Sequence, residues 1–287
     1  MCKLKSAIAL KDRIFMPDYD SHSDMLKELG IEDDFIGASK KFVRVELSPA
    51  DGDPFSDIDT WALKVDQDIR PDWFSEEEYK PKIVEAVKAW AKNHIFVGID
   101  GLKLNTGTNY YIKDCKNVEI GGSAQVENIG GSAQVENICG SAQVENIGGS
   151  AQVKYIGGSA QVENIGGSAQ VEYICGSAQV KYICGSAQVE NIGGSAQVKY
   201  IGGSAQVEYI CGSAQVEYIC GSAQVKKASG VSVICSSQYT KWKNAGSLIL
   251  CENATFKDNV GKVIYQSGDY KLIHVESGKS IGEANAE

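Results

Sequence analysis

Residues 168–176 read SAQVEYICG, and twelve copies of this nonapeptide follow one another without a gap from Ser123 onward. A short, fixed period indicates one structural unit stacked on itself. A single unit is too short to bury a core of its own, but stacked units form a continuous narrow core. The repeat therefore predicts a solenoid.

The order of residues inside the unit predicts a β-strand. Apolar Ala169 and Val171 alternate with polar Gln170 and Glu172. A period of two places the first pair on the inner face of a strand and the second pair on the outer face. We expect a corner directly after Tyr173, so that the following isoleucine returns to the interior. The glycine that closes the unit then turns the chain, since glycine accepts positive φ.

The charged position of the repeat indicates how many units form one coil. Two units per coil give two facing parallel sheets and six regular coils, stacked about 4.8 Å apart. A triangular coil of three units is the alternative. With two units per coil, Lys154 lies between Glu136 and Glu172. Opposite charges on neighbouring strands attract, so the pattern favours two units.

The polar positions of the repeat predict an extended binding surface. We expect amide ladders from the glutamines, and a contact surface from the tyrosines, because aromatic residues are enriched at interfaces. Drift at a tolerant position is the alternative interpretation of the tyrosines. The residues assigned to this surface are Gln170, Glu172, Tyr173, Gln206, Glu208, Tyr209, Gln215, Glu217 and Tyr218. The units are nearly identical, whereas catalysis needs one asymmetric group of residues, so no active site is expected in the solenoid.

Composition divides the chain into three parts. Residues 1–110 contain all five prolines and are predicted to form an α/β module. Residues 111–228 form the nonapeptide solenoid, and residues 229–287 form degenerate coils and a C-terminal cap. The fold class is therefore mainly β. The flanking parts are expected to cap the solenoid, because a terminal coil exposes unpaired backbone groups.

The N-terminal module contains one strong helix signal. Ser75 and Glu78 have the spacing of a capping box. Apolar residues follow at helical spacing from Ile83 to Ala91. Proline favours the first turn of a helix, so we expect the continuous helix to begin near Pro81.

One segment of the module contains candidate metal ligands. Asp18, Asp20, His22 and Asp24 place three carboxylates and an imidazole within seven residues. Oxygen and imidazole groups of this kind bind divalent cations. The alternative is a polar loop that leads into a helix with a serine N-cap. No cofactor is expected.

Charge and cysteine content exclude several classes of function. The formal net charge of −9 argues against direct binding of nucleic acid. The nine cysteines show no zinc-binding spacing. Cys139, Cys175 and Cys211 are thirty-six residues apart, which indicates duplication of four-unit blocks rather than a disulfide framework. With no signal peptide or membrane-spanning stretch in the sequence, we expect a cytoplasmic protein without a membrane contact.

The repeat also resembles a known group of proteins. Units with Asn/Ser-Ala-x-Val and a small or aromatic corner, and leader stretches such as residues 5–13, 17–22 and 65–68, are similar to uncharacterised nonapeptide-repeat β-solenoid proteins of gut bacteria and their phages. The resemblance implies a solenoid fold and a mobile-element origin. It carries over no catalytic residue.

These observations favour a non-enzymatic protein-interaction module. We expect it to present an acidic-leaning solenoid surface to a protein partner. A specific form of this hypothesis is that the protein is a phage-encoded inhibitor of a host system. A structural spacer or assembly element is one alternative. An enzyme or a metal-binding module in residues 1–110 is another, and homo-oligomer formation stays open.

Overall fold

The computed structural model describes residues 5–32, 41–228, 233–236, 247–250, 261–265, 272–276 and 279–280. The chain forms two compact units, Met1–Phe96 and Val97–Glu287. The division falls after Phe96 rather than after residue 110. The reason is that parallel pairing of the solenoid type already includes strand β6, Lys103–Leu104.

The first unit contains a four-stranded antiparallel sheet of order β2-β1-β3-β4. Its strands are β1 Lys5–Leu10, β2 Ile14–Phe15, β3 Phe42–Ser48 and β4 Ala62–Val65. A tight turn joins the first two strands, with the Leu10 backbone N–H donating to the Arg13 carbonyl at 2.8 Å. Apolar residues alternate with polar ones along β3 and β4, as expected for strands, whereas Lys5–Ala9 of β1 are all buried.

Two α-helices accompany this sheet. Helix α1 covers His22–Glu28 and begins at Ser21, whose hydroxyl accepts a hydrogen bond from the Asp24 backbone N–H. Helix α2 covers Glu76–Ala91 and begins at Ser75 in the same way. A short 3-10 helix, Ile58–Thr60, precedes β4. In the part of the chain that the structure describes, no helix combines the length and apolar character needed to cross a membrane.

The start of α2 differs from the sequence prediction. The helix begins at Glu76, five residues before Pro81, so the expected start near the proline is wrong. The Ser75 hydroxyl accepts from the Glu78 backbone N–H at 3.2 Å, and the Tyr79 hydroxyl donates to the Lys11 carbonyl at 3.0 Å. The cap and this tertiary contact stabilise the first turn ahead of the proline.

The sheet of the first unit is buried by both helices. On one face, Ile8 and Phe42 form a cluster with Met25 and Leu26 of α1. Helix α2 packs against β1 and β3 through an apolar stripe. The buried residues of this stripe are Tyr79, Ile83, Val84, Val87, Trp90 and Ala91.

The second unit is a parallel β-solenoid. Strand β5, Ile95–Val97, crosses the division between the two units. The next strands are β6, β7 Tyr110–Lys113 and β8 Val118–Ile120. The twelve repeat strands are β9 Gln125–Gly130, β10 Gln134–Ile138, β11 Gln143–Ile147, β12 Gln152–Ile156, β13 Gln161–Ile165, β14 Gln170–Ile174, β15 Gln179–Ile183, β16 Gln188–Ile192, β17 Gln197–Ile201, β18 Gln206–Ile210, β19 Gln215–Ile219 and β20 Gln224–Ala228. The last strands are β21 Val233–Ser236, β22 Ser247–Leu250, β23 Gly261–Tyr265, β24 Leu272–Glu276 and β25 Lys279–Ser280.

Each repeat strand pairs with the strand two units further along. Gln143 of β11 lies opposite Gln161 of β13, and Val144 lies opposite Val162. Two units therefore form one coil, as the charge pattern predicts, and the three-unit alternative is wrong. Even-numbered strands from β6 to β20 form one sheet, and odd-numbered strands from β5 to β19 form the other. We call these the even sheet and the odd sheet.

The odd sheet continues beyond the repeats. Strands β21, β22 and β23 extend it in parallel from β19. Strand β24 then pairs with β23 in the antiparallel direction, and β25 pairs with β24 in the same way. Parallel stacking in this sheet therefore ends at β23.

The position of the strand inside each unit differs by one residue from the prediction. The strand begins at Gln170 and continues through Ile174, without the expected corner after Tyr173. Ala169 precedes the strand, and it is buried as predicted. Glu172 and Tyr173 both lie on the surface, so the strand tolerates one break in alternation while its backbone ladder continues to Cys175, whose N–H donates to the Ile156 carbonyl.

From Gly140 to Gly221, the glycine that closes a unit stands where a Cβ atom would lie against the glycine backbone of the preceding coil. Gly149 has φ of +64°, and a Cβ atom there would lie 2.8 Å from the Gly131 carbonyl oxygen of the preceding coil. The same carbonyl accepts a hydrogen bond from the Ser150 backbone N–H at 2.8 Å. The corner therefore combines a left-handed backbone conformation with close stacking of glycine on glycine.

The cysteines occupy the position before that glycine. The Cys184 sulfur lies 3.4 Å from where a Cβ atom on Gly166 of the preceding coil would be. Within each sheet a glycine separates successive cysteines, which is the structural meaning of the thirty-six-residue spacing. The six cysteines between residues 115 and 220 are free thiols in the structure.

Candidate functional site

An aromatic column lies on the outer surface of the odd sheet. The fourth strand position, just before the isoleucine, is filled along this sheet by Asn128, Asn146, Asn164, Tyr182, Tyr200 and Tyr218. The rings of Tyr182 and Tyr200 are stacked, with centroids 5.2 Å apart and an interplanar angle of 16°. Those of Tyr200 and Tyr218 are 5.0 Å apart at 14°. We call these three residues the tyrosine column.

The even sheet has no comparable column. Tyr155 and Tyr173 lie on neighbouring strands, but Asn191 separates Tyr173 from Tyr209. Tyr173 and Tyr209 are nevertheless exposed, at 46% and 44%. The two sheets therefore present different surfaces from almost the same repeat.

The residues assigned to the binding surface divide between the two sheets. Strands β14 and β18 of the even sheet hold Gln170, Glu172, Tyr173, Gln206, Glu208 and Tyr209. Strand β19 of the odd sheet holds Gln215, Glu217 and Tyr218. The assignment missed Tyr182 and Tyr200. Tyr200 stacks on Tyr218, and Tyr182 stacks on Tyr200. Their spacing of eighteen residues, which is the length of one coil, is the sequence signal that could have found them.

Charged side chains beside the tyrosines form ion pairs between coils. Lys181 lies 2.6 Å from Glu163, and this hydrogen bond raises the pKa of Lys181. Lys154 lies 2.6 Å from Glu136, and Lys226 pairs with Glu208. These are the pairs that two units per coil predict. Because they are exposed, each contributes well under about 1 kcal/mol to stability.

Lys181 and a further lysine, Lys199, also contact the tyrosine column. The Lys181 ammonium lies 5.3 Å from the ring centroid of Tyr182, and that of Lys199 lies 5.8 Å from the ring centroid of Tyr200. A cation within about 6 Å of an aromatic face is attracted to it. The column therefore combines apolar ring surface with two ammonium groups, of which that of Lys181 is also paired with Glu163.

The expected glutamine ladders are only partly present. The glutamines lie in register, as Gln179 does opposite Gln197. Within residues 123–226, however, no hydrogen bond joins two of the repeat glutamine side chains. An asparagine pair does bond, with the Asn164 amide donating to the Asn146 side-chain oxygen at 3.3 Å. The glutamine side chains are exposed, so water can satisfy their amide groups.

The structure does not bring Asp18, Asp20, His22 and Asp24 together. The Asp20 carboxylate accepts hydrogen bonds from the Lys5 ammonium at 2.8 Å and the Ser6 backbone N–H at 3.1 Å. Asp18 lies 3.4 Å from His94. Asp24 lies in the first turn of α1, as the interpretation with a serine N-cap predicts.

His22 instead approaches two carboxylates that are distant in sequence. Donor atoms of His22, Glu46 and Asp66 all lie within 4.8 Å of one another. The Lys64 ammonium lies 3.1 Å from Asp66 and 3.4 Å from Glu46. The pKa of Asp66 is lowered mainly by the hydrogen bond from Lys64, with smaller contributions from the charges of Lys64, His22 and Arg44.

Comparison with known proteins adds no assignment. No protein-family model, curated protein or solved structure matches the chain. Function therefore has to be inferred from the geometry of the two candidate regions, the tyrosine column and the polar cluster at His22.

Proposed function

We propose that this chain is a non-enzymatic interaction protein that presents its solenoid surface to a protein partner. The observation that carries the proposal is the tyrosine column. Tyr182 and Tyr218 are 38% and 40% exposed, although their rings stack in a fixed arrangement. Rigid, partly exposed aromatic rings are the side chains that most often anchor protein interfaces.

The surroundings of the column indicate the chemistry of the partner. The rings offer apolar surface, and the ammonium groups of Lys181 and Lys199 lie next to them. An apolar patch on the partner would match the rings, and an acidic group beside it could approach Lys199. The resemblance to phage proteins adds one specific form of the proposal, in which the partner is a host protein that this chain inhibits.

The test replaces the column with residues that the repeat already uses. Asparagine occupies the same position in Asn128, Asn146 and Asn164, so Tyr182→Asn, Tyr200→Asn and Tyr218→Asn together preserve the architecture of the unit. A partner captured by the wild-type chain should bind the triple variant at least about tenfold more weakly. The control is Tyr173→Asn with Tyr209→Asn on the even sheet, which should retain the partner.

Two results would overturn the proposal. One is that the wild-type chain captures no protein above the level seen with an unrelated solenoid. The other is that both variants bind the captured protein as tightly as the wild type.

A structural spacer is the second candidate, and the strict repetition of the coils favours it. Each coil adds the same ladder contacts, so coils can be added or removed without changing the rest. A variant without Ser141–Gly176 lacks four units, or two coils, and keeps the tyrosine column. A spacer should lose reach in this variant and tolerate the tyrosine substitutions. An interaction surface should tolerate the deletion, which keeps the tyrosine column, and should lose affinity in the variant with the three tyrosine substitutions.

A further inference from the structure

We propose that His22, Glu46 and Asp66 form a binding site for one divalent first-row transition metal ion. The three residues come from the start of α1, from β3 and from the chain just after β4. Their donor atoms lie within 4.8 Å of one another. One imidazole and two carboxylates are a ligand set that such ions accept, with the remaining positions left for water.

The hydrogen bond of His22 determines which ring nitrogen faces the carboxylates. The Nε2 atom lies 3.2 Å from the Val45 carbonyl oxygen. A carbonyl only accepts, so Nε2 carries a proton, and Nδ1 is the nitrogen that faces the carboxylates and can take either a proton or a metal ion. A backbone carbonyl on the far nitrogen is the usual way in which a protein orients a metal-binding histidine.

This nitrogen faces a carboxylate. His22 Nδ1 lies 3.8 Å from Asp66 Oδ2. A proton on Nδ1 would make this contact an ion pair, and a metal ion bound between the two atoms would replace that proton. Ligand atoms that share one metal ion at bond lengths of about 2.0–2.2 Å are about 3–3.5 Å apart. The three ligand atoms lie within 4.8 Å of one another, so they must move closer to bind one ion, and the exposed Asp66 side chain has room to do so.

Burial makes this arrangement different from an acidic surface patch. The side chains of His22 and Glu46 are each only 9% exposed. Ser6 lies opposite Glu46 in the β1–β3 pairing, and its buried hydroxyl has no hydrogen-bond partner. Cross-strand partners share one face of a sheet, so this hydroxyl lies beside Glu46, where a water bound to the metal would satisfy it.

Lys64 is the competing cation. Its ammonium lies 3.4 Å from Glu46, which is longer than a normal charge-assisted hydrogen bond. The side chain is 63% exposed, so it can move into solvent when a metal ion enters. Removing Lys64 should therefore strengthen metal binding, whereas a simple ion-pair network predicts no metal binding in any variant.

The test titrates the full-length chain with Mn²⁺ and measures free Mn²⁺ by electron paramagnetic resonance. Mn²⁺ avoids the cysteine thiols, since it prefers oxygen ligands. We expect one ion per chain. His22→Gln and Asp66→Asn should each weaken binding at least about tenfold, and Lys64→Gln should strengthen it. Asp24→Asn, an exposed carboxylate outside the cluster, should bind as the wild type does.

Circular dichroism of each variant guards against loss of folding. If His22→Gln unfolds, the Asp66→Asn variant tests the proposal instead. It should stay folded, because Asp66 lies after the end of β4 and is exposed. The proposal is overturned if the wild type binds no Mn²⁺ at millimolar concentration. It is also overturned if a folded Asp66→Asn variant binds Mn²⁺ with the wild-type affinity.

Discussion

At the scale of single residues, the two glycines that close a unit have different roles. Gly149 has positive φ and stacks directly on Gly131 of the preceding coil, whereas a Cβ atom on Gly148 would meet nothing within 4 Å. The sequence agrees with this difference. Five units carry cysteine at the first position, and every unit keeps glycine at the second.

Alanine substitutions at these neighbouring positions should therefore have unequal effects. Gly149→Ala forces a Cβ atom against the Gly131 backbone, in addition to a cost of about 1–2 kcal/mol for the left-handed conformation. We expect the free energy of unfolding in urea to fall by at least about 2 kcal/mol. Gly148→Ala is the matched control and should change it by less than about 1 kcal/mol. Equal losses at the two positions would contradict this account of the corner.

At the scale of elements, α2 shows where local sequence signals stop being sufficient. The Ser75 cap and the apolar stripe are both local, and they predict the helix. Its start depends on Tyr79, which reaches the Lys11 carbonyl from a distant part of the chain. The preference of proline for the first turn therefore placed the start of the helix too late, near Pro81, because a local rule does not include the contact of Tyr79 with Lys11.

Pro81 should therefore reduce the stability of α2. Its ring removes a backbone N–H from the helix interior and crowds the carbonyl four residues earlier. Pro81→Ala should raise the free energy of unfolding by about 1–3 kcal/mol. Lys80→Ala, at the exposed neighbouring position, leaves the backbone bonds unchanged and should have little effect. Thermal unfolding followed by circular dichroism measures both, and a lower midpoint for Pro81→Ala would count against this interpretation.

At the scale of the whole molecule, the solenoid could be predicted from the repeat. The cluster of His22, Glu46 and Asp66 in the non-repeating part could not be predicted from the sequence. The alternation of apolar and polar residues predicts that Ala, Val and Ile are buried, and the closing glycine predicts the turn. The pattern of Glu and Lys predicts two units per coil. The tyrosine column follows from the same coil length once residues eighteen apart are compared. His22, Glu46 and Asp66 share no local pattern, since the β3–β4 pairing and the placement of α1 bring them together.

The solenoid should tolerate the removal of whole coils. In a stacked array each coil contacts only its neighbours, so stability is close to a sum over units and interfaces. The variant without Ser141–Gly176 should keep a cooperative unfolding transition and the β-sheet circular dichroism band, with a moderately lower midpoint. Aggregation or loss of the cooperative transition would show that the coils are not equivalent.

The two-unit coil also has a consequence for the gene. Nearly identical repeats are prone to unequal recombination, and the loss of one nine-codon unit moves every later unit to the opposite sheet. Losing Ser195–Gly203, for example, would place Cys211 directly over Cys184 instead of over a glycine. Losing two units returns the later strands to their own sheet but still changes the cysteine order, since loss of Ser186–Gly203 would place Cys211 over Cys175. Loss of four units preserves both the sheet and the alternation of cysteine with glycine. Copy number in this gene should therefore change in blocks of four units, which fits the thirty-six-residue spacing of the cysteines.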